Sequence, residues 1–281
     1  MKKSILFLLI ALALVPYGMQ AQNKIDRSKK ELNEKETVNY SNTGRPSQSG
    51  SSSNRSNSFG QSLMGSIVMY TIGAVFKYGL IGDYRYEDHL YNGLTEFPYH
   101  IPETGNFYTP RHSEGIPNNF RLDIKDKFIY SNNNLFGNHL EAKVRPFQYF
   151  YIKADYYQLY EFQKVAGTTD RMSLFYFNFA YDRIRMERFN LGWTLGASYI
   201  AGSVNRGGFA FGLNAEYFLK KNISFMGSAK WSSVNYQPVN AYELESRFHN
   251  NNLFLSLGYE RLKIASPVYN YITLGGGIYL F

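Results

Sequence analysis

Residues 207–234 read GGFAFGLNAEYFLKKNISFMGSAKWSSV. The stretch divides into two runs with a period of two. Phe209, Phe211, Leu213, Ala215 and Tyr217 alternate with Gly212, Asn214 and Glu216, and Ile223, Phe225, Gly227, Ala229 and Trp231 alternate with Ser224, Ser228, Lys230 and Ser232. A β-strand turns successive side chains to opposite faces, so each run carries one apolar and one polar face. A tight turn at Lys220, Lys221 and Asn222 pairs Leu219 with Ile223, Tyr217 with Phe225, Leu213 with Ala229 and Phe211 with Trp231. Every apolar-face residue then meets another, as a shared sheet face requires.

The same alternation extends both ways. Phe175, Phe177, Phe179 and Tyr181 oppose Asn178 and Asp182; Leu191, Trp193, Leu195, Ala197 and Tyr199 oppose Gly192, Thr194, Gly196 and Ser198. Leu253, Leu255, Leu257 and Tyr259 oppose Ser256, Gly258 and Glu260. Pairing Tyr181 with Leu191 keeps the faces matched. The runs suit the ~9–11 residues that a tilted strand needs to cross a bilayer. A soluble sandwich would bury the apolar rows and leave Gly and Ser on its surface. A membrane barrel turns the apolar rows to lipid, with aromatics such as Tyr181, Tyr199, Tyr217, Trp231 and Tyr259 near their ends. It also accounts for 25 Tyr and 22 Phe in a chain whose mean hydropathy is only −0.35. The expected fold is all-β: an antiparallel up-and-down transmembrane β-barrel of about eight to ten strands with a disordered N-terminal extension.

Segments near 138–146, 149–162, 171–183, 190–201, 207–219, 222–234, 247–262 and 269–281 supply eight strands. Residues 120–130 would be a ninth and 66–78 a tenth, with 235–246 read as a loop. Single-chain bacterial barrels have even strand numbers, so the count is eight or ten.

Ahead of the barrel (120–281), the chain divides into three parts. Lys2 and Lys3 precede an apolar run from Ile5 to Val15, followed by Pro16, Gly18 and Ala21. This is the layout of a secretory signal peptide, 1–21, cleaved after Ala21. Residues 22–61 are charged and then Ser-rich, and read as a disordered tether. In 62–119, the apolar stretch 63–81 is compatible with a helix lying against or inside the barrel, or with a first strand. The remainder, with Pro98, Pro102, Pro110 and Pro117, is loop chemistry. With no cysteine, a lipidated N-terminus, disulfides and thiolate chemistry are excluded.

The chain finishes Gly-Gly-Gly-Ile-Tyr-Leu-Phe, with Tyr279 and Phe281 as alternate aromatics. This resembles the C-terminal signature of outer-membrane β-barrel proteins, read by the barrel-assembly machinery. The 207–234 hairpin is similar to those of small barrels of the OmpA and OmpX type. Gly275 and Gly277 depart from the signature, which usually has larger apolar residues there. The resemblance implies residence in the bacterial outer membrane among its lipid and lipopolysaccharide.

Asp182, Asn214, Glu216, Lys230 and Glu260 are the candidate lumen residues, in an interior expected to be rich in Gly and Ser. The leading expectation for function is non-catalytic: a structural or interaction protein of the outer membrane, such as an accessory subunit docked to an envelope partner by its N-terminal arm. A pore for small solutes or apolar molecules is the alternative, and a lipid-modifying hydrolase the second. For the hydrolase, His249 with Ser246 and Glu243 or Glu245 would supply base, nucleophile and orienter, set against a solvated loop. His89, His100 and His112 with Asp88, Glu103 and Glu114 match no compact metal motif. Gly275–Gly277 sits in a strand and is no phosphate loop, so no cofactor is expected. The net charge of +8 reads as ordinary surface Lys and Arg, and nothing points to nucleic acid.

Overall fold

The computed structural model describes residues 23–34, 75–110, 120–132, 134–163 and 167–281. Ten antiparallel strands close into one barrel: β3 (Arg121–Asn132), β4 (Leu135–Arg145), β5 (Phe150–Gln163), β6 (Thr168–Arg185), β7 (Phe189–Ala201), β8 (Arg206–Phe218), β9 (Ile223–Val234), β10 (Gln237–Asn250), β11 (Leu253–Ile264) and β12 (Val268–Leu280). Each pairs with its chain neighbours, and β12 pairs with β3 to close the ring. Before the barrel come a helix α1 (Lys24–Asn33), a π-helical turn Val75–Ile81, a 3-10 turn Asp88–Tyr91, and a short ladder of β1 (Gly93–Leu94) with β2 (Phe107–Tyr108).

The β8–β9 register is the expected one: Tyr217 pairs with Phe225, Leu213 with Ala229 and Phe211 with Trp231. Lys221 and Asn222 both take positive φ, the conformation of a tight hairpin turn. One pairing is corrected. Tyr181 lies opposite Trp193, not Leu191: the two strands run on to Arg185 and Asn190, so the turn lies later in the chain than expected, and a bulge between Asp182 and Ile184 inserts Arg183 on the turn side of the pair.

The tenth strand is also corrected. It is β10, not 66–78, and residues 235–246 are no loop. Asn235 and Tyr236 at φ 49 and 63 turn the chain at once, so β10 begins at Gln237. Its outward row is Tyr242, Leu244, Ser246 and Phe248, and its inward row is Glu243, Glu245, Arg247 and His249. So many inward charges made an alternating strand resemble a polar loop.

All the connections are therefore short. The proximal rim carries Arg121 and Phe281, and the distal rim carries the turns near residues 134, 203, 235 and 265. The outer wall is apolar: Phe177, Phe209, Leu244, Leu255, Leu257 and Leu274 are each about 60–70% exposed. The interior has two layers. Toward the distal rim it is an apolar core including Ile129, Leu159, Leu174, Tyr176, Ile200, Leu262 and Tyr271, and nearer the proximal rim it is charged. The expected lumen of small Gly and Ser groups is corrected accordingly, because inward positions near the strand ends carry Tyr, Leu and Ile.

Both rims are covered. Disorder throughout 22–61 is corrected for Lys24–Asn33, which forms α1 across the distal rim. Ile25, Ser28 and Leu32 fall on one helical face and are fully buried there. Ser28 Oγ donates to Ile264 O at 3.0 Å and lies 2.7 Å from Tyr269 Oη. The rest of that tether, the signal peptide with Ala21, and residues 62–74 lie outside the described residues. Residues 82–108 cover the proximal rim, with Leu90, Leu94 and Phe107 buried. Of the two readings of 63–81, its described end is helical and lies against the outer wall at β6 and β7.

Candidate functional site

The charged layer is assembled by inward residues from opposite sides of the ring. Lys125 Nζ on β3 lies 3.0 Å from Glu243, 3.1 Å from Glu245 and 3.6 Å from Glu141. Lys127 contacts Glu243 and lies 3.4 Å from Glu260. Lys230 on β9 reaches Asp155 on β5 at 2.8 Å, and Lys153 reaches Glu141 at 2.6 Å. His139 bridges Asp155 at 3.1 Å and Glu260 at 3.3 Å, and stacks on Tyr157, whose hydroxyl also donates to Glu260. Toward the proximal rim, Arg247 pairs with Glu216 at 2.8 Å, and Arg145 pairs with Asp182 at 2.6 Å. Buried charges persist only when paired in this way.

The five lumen candidates all lie on the inner side of the wall. Asp182, Glu216, Lys230 and Glu260 join the ion network. Asn214 accepts from Tyr151 Oη at 3.4 Å. Sequence reasoning missed most of the layer: Lys125, Lys127, His139, Glu141, Lys153, Asp155, Glu243, Glu245 and Arg247. Their period-two spacing was the available signal, as in Lys125 and Lys127, or Glu243, Glu245 and Arg247.

Tyr279 points inward, stacked at 6.1 Å on His249 and lying 5.1 Å from the Arg121 guanidinium, whereas Phe281 is exposed and contacts Phe97. The lipid-facing row of β12 is Ile272, Leu274, Gly276, Ile278 and Leu280. The Ser246–His249 pairing is not formed, because Ser246 faces out and His249 in. His249 Nε2 instead lies 2.9 Å from Ser224 Oγ, with both residues fully buried. Its Nδ1 has no hydrogen-bond partner among the described residues, so aromatic neighbours and not a carboxylate hold the ring, and Glu243 and Glu245 are held by Lys125. This geometry lacks the oriented base of a nucleophilic triad.

The loop histidines and Glu103, which match no compact metal motif, are engaged in separate ion pairs where they are described. His89 pairs with Glu87, His100 with Glu96, and Glu103 with Arg188 and Lys220; His112 and Glu114 lie outside the described residues. His139 lies within ligand spacing of Glu243 and Glu260, and of Glu141 and Asp155. Lys125, Lys127, Lys153 and Lys230 already neutralise those carboxylates.

In the proximal closure, Arg183 Nη1 donates to Glu87 at 2.7 Å, and this hydrogen bonding holds the Glu87 carboxyl below its ordinary range. Burial pushes the neighbouring His89 imidazole down, against the pull of Glu87. Among the described residues the interior cavity beside Glu141 and Arg247 holds only about 10 Å³. A groove of about 580 Å³ lies on the outer wall, along Leu191, Leu213, Ala215, Gly227, Ala229 and Leu244.

A closed ring with large apolar side chains outside and paired charges inside is stable only where lipid replaces water at its wall. The chain is an outer-membrane β-barrel. No family model and no curated protein matches it. Solved structures similar to it include the outer membrane protein Ail of Yersinia pestis, at 14% identity and TM-score 0.35, over 58% of this chain and 100% of that one. An outer membrane channel from Pseudomonas putida F1 matches at 9% identity and TM-score 0.35, over 62% of this chain and 100% of that one. LpxR from Salmonella typhimurium matches at 11% identity and TM-score 0.33, over 60% and 86%.

Proposed function

We propose that this outer-membrane barrel is a non-catalytic structural or interaction protein, a membrane-held platform with closed ends. The observation that carries the reading is the filled bore. An ion-paired layer, an apolar core, α1 and residues 82–108 succeed one another along the axis, and the interior cavity beside Glu141 and Arg247 holds only about 10 Å³ among the described residues. Among the described residues, the filled bore and the His249 ring without a hydrogen-bonded carboxylate support this reading over a solute channel, which needs a continuous lumen, and over a hydrolase, which needs an accessible, oriented base. Interaction falls to the rims and the N-terminal arm, which is tied to the distal turns by Asn33, Arg27 and Lys24.

Planar-bilayer recording of the purified full chain tests this. No stepwise conductance is expected at concentrations where a porin gives steps, and discrete steps from the wild type would overturn the reading in favour of a pore.

A further inference from the structure

The outer wall is not bulky throughout. In one outward cross-strand row Ala215 lies beside Gly227 and Gly227 beside Leu244; in the next, Leu213 lies beside Ala229 and Ala229 beside Tyr242. The small residues Ala215, Gly227 and Ala229 form the floor of the outer groove. Leu213 flanks it on one side, and Tyr242 and Leu244 flank it on the other. Its volume of about 580 Å³ is that of a ligand site, ~300–1,000 Å³. Trp231 Nε1 donates to Tyr242 Oη at 3.1 Å and steadies the Tyr242 flank.

The groove ends near the distal rim at Arg261, which lies opposite Tyr242 on β11. Arg261 is exposed, and Lys263, two residues on, shares its outward face. Neither makes an ion pair or a hydrogen bond among the described residues, in contrast to the paired cations of the bore. Glu31, the α1 carboxylate that reaches the β11–β12 turn, is held by Arg27 and Ser266. Asn270 lies opposite Arg261 on β12, and its Oδ1 accepts from Tyr259 Oη at 2.8 Å, which leaves its amide N–H groups as donors. A guanidinium, an ammonium and an amide donor together at the edge of a lipid-facing furrow suit a phosphate joined to an acyl chain.

We infer that this groove binds one anionic phospholipid, its phosphate on Arg261, Lys263 and Asn270 and an acyl chain in the furrow over Gly227 and Ala229. A single furrow with a single basic pair fits a lipid with one phosphate, not a glycolipid with several phosphates and chains.

Native mass spectrometry of the full chain in detergent tests this, with phosphatidylglycerol and phosphatidylcholine supplied in equal amounts. The wild type should keep one phosphatidylglycerol at collision energies that strip all other lipid. Arg261→Gln combined with Lys263→Gln should lower that retention roughly tenfold or more, as expected for losing charge-assisted hydrogen bonds. Ala229→Phe fills the furrow without touching the charges and should lower it too. Arg171→Gln, outward on β6 across the ring from β11, should not. The heat-modifiable gel shift checks that each variant is folded, and Ala215→Leu fills the same floor should Ala229→Phe misfold. Equal retention of the two lipids, an equal loss in Arg171→Gln, or retention untouched by the charge or furrow variants would each overturn the inference. So would a dimer mass in place of the lipid adduct, or lipid A displacing phosphatidylglycerol from an equimolar mixture.

Discussion

Lys230 Nζ on β9 lies 2.8 Å from Asp155 Oδ1 on β5, across the bore of the barrel. The pair joins strands four positions apart in the ring, and the adjoining contacts of His139 and Lys153 extend it into a layer that fills the bore. Removing one partner of a buried pair costs roughly 3–5 kcal/mol, whereas replacing both by apolar groups is often neutral. Lys230→Met should therefore lower the temperature at which the folded gel band converts to the unfolded one. Lys230→Met with Asp155→Leu should recover most of the loss; a double variant as unstable as the single would contradict pairing across the bore.

The orientation of the wall is tested at Leu274, which is 64% exposed on the lipid-facing row of β12. Leu274→Arg places a charge in hydrocarbon and should cost about 2–4 kcal/mol if the site is near the midplane. Denaturant titration in phospholipid vesicles measures it, with Leu274→Ala as the size control. Equal effects from Arg and Ala would mean that this row does not face lipid.

The distal closure depends on Leu32 and Ile25 of α1. Leu32→Ala should weaken docking of the helix by roughly 2–5 kcal/mol, the range for a buried leucine. Hydrogen exchange at the amides of α1 should accelerate while the strand amides stay protected. Uniformly faster exchange would make α1 part of the barrel's own cooperative unit.

The proximal closure should loosen in acid. Glu87 has a lowered pKa where Arg183 binds it, so its contribution is complete above the ordinary carboxylate range and is lost as pH falls through the lowered value. His89 is also lowered, by burial, so the released form takes up a proton first and stability declines as pH drops through the ordinary imidazole range. Both titrations act in one direction. Protease cutting within residues 82–91 should increase on acidification. Glu87→Gln should show the faster cutting already at neutral pH, and an unchanged rate there would remove Arg183–Glu87 from the account.

The hydrolase reading predicts a phenotype that the platform reading does not. His249→Ala should leave the lipid composition of the outer membrane unchanged, as read by mass spectrometry. Loss of a lipid species in that variant would restore a catalytic role for the Ser224–His249 contact.

The cleanly alternating strands and the β8–β9 hairpin register were determined by the sequence alone. Apolar residues at every second position admit one facing, and a slip of one residue at Tyr217–Phe225 would place the whole Phe209-to-Tyr217 row in the lumen. That rule depends only on chain neighbours, so it can be read locally. It failed at β10, where inward Glu243, Glu245 and Arg247 outweighed the outward Leu244 and Phe248, and at Arg183, whose bulge has no local marker. Only the tertiary structure decided that Lys230 meets Asp155, that His249 meets Ser224 instead of Ser246, and that Ile25 and Leu32 seal the distal rim. Those partners are distant in sequence, and closure of the ring at ten strands brings them together. No periodicity within one strand specifies which side chains will face each other across the bore.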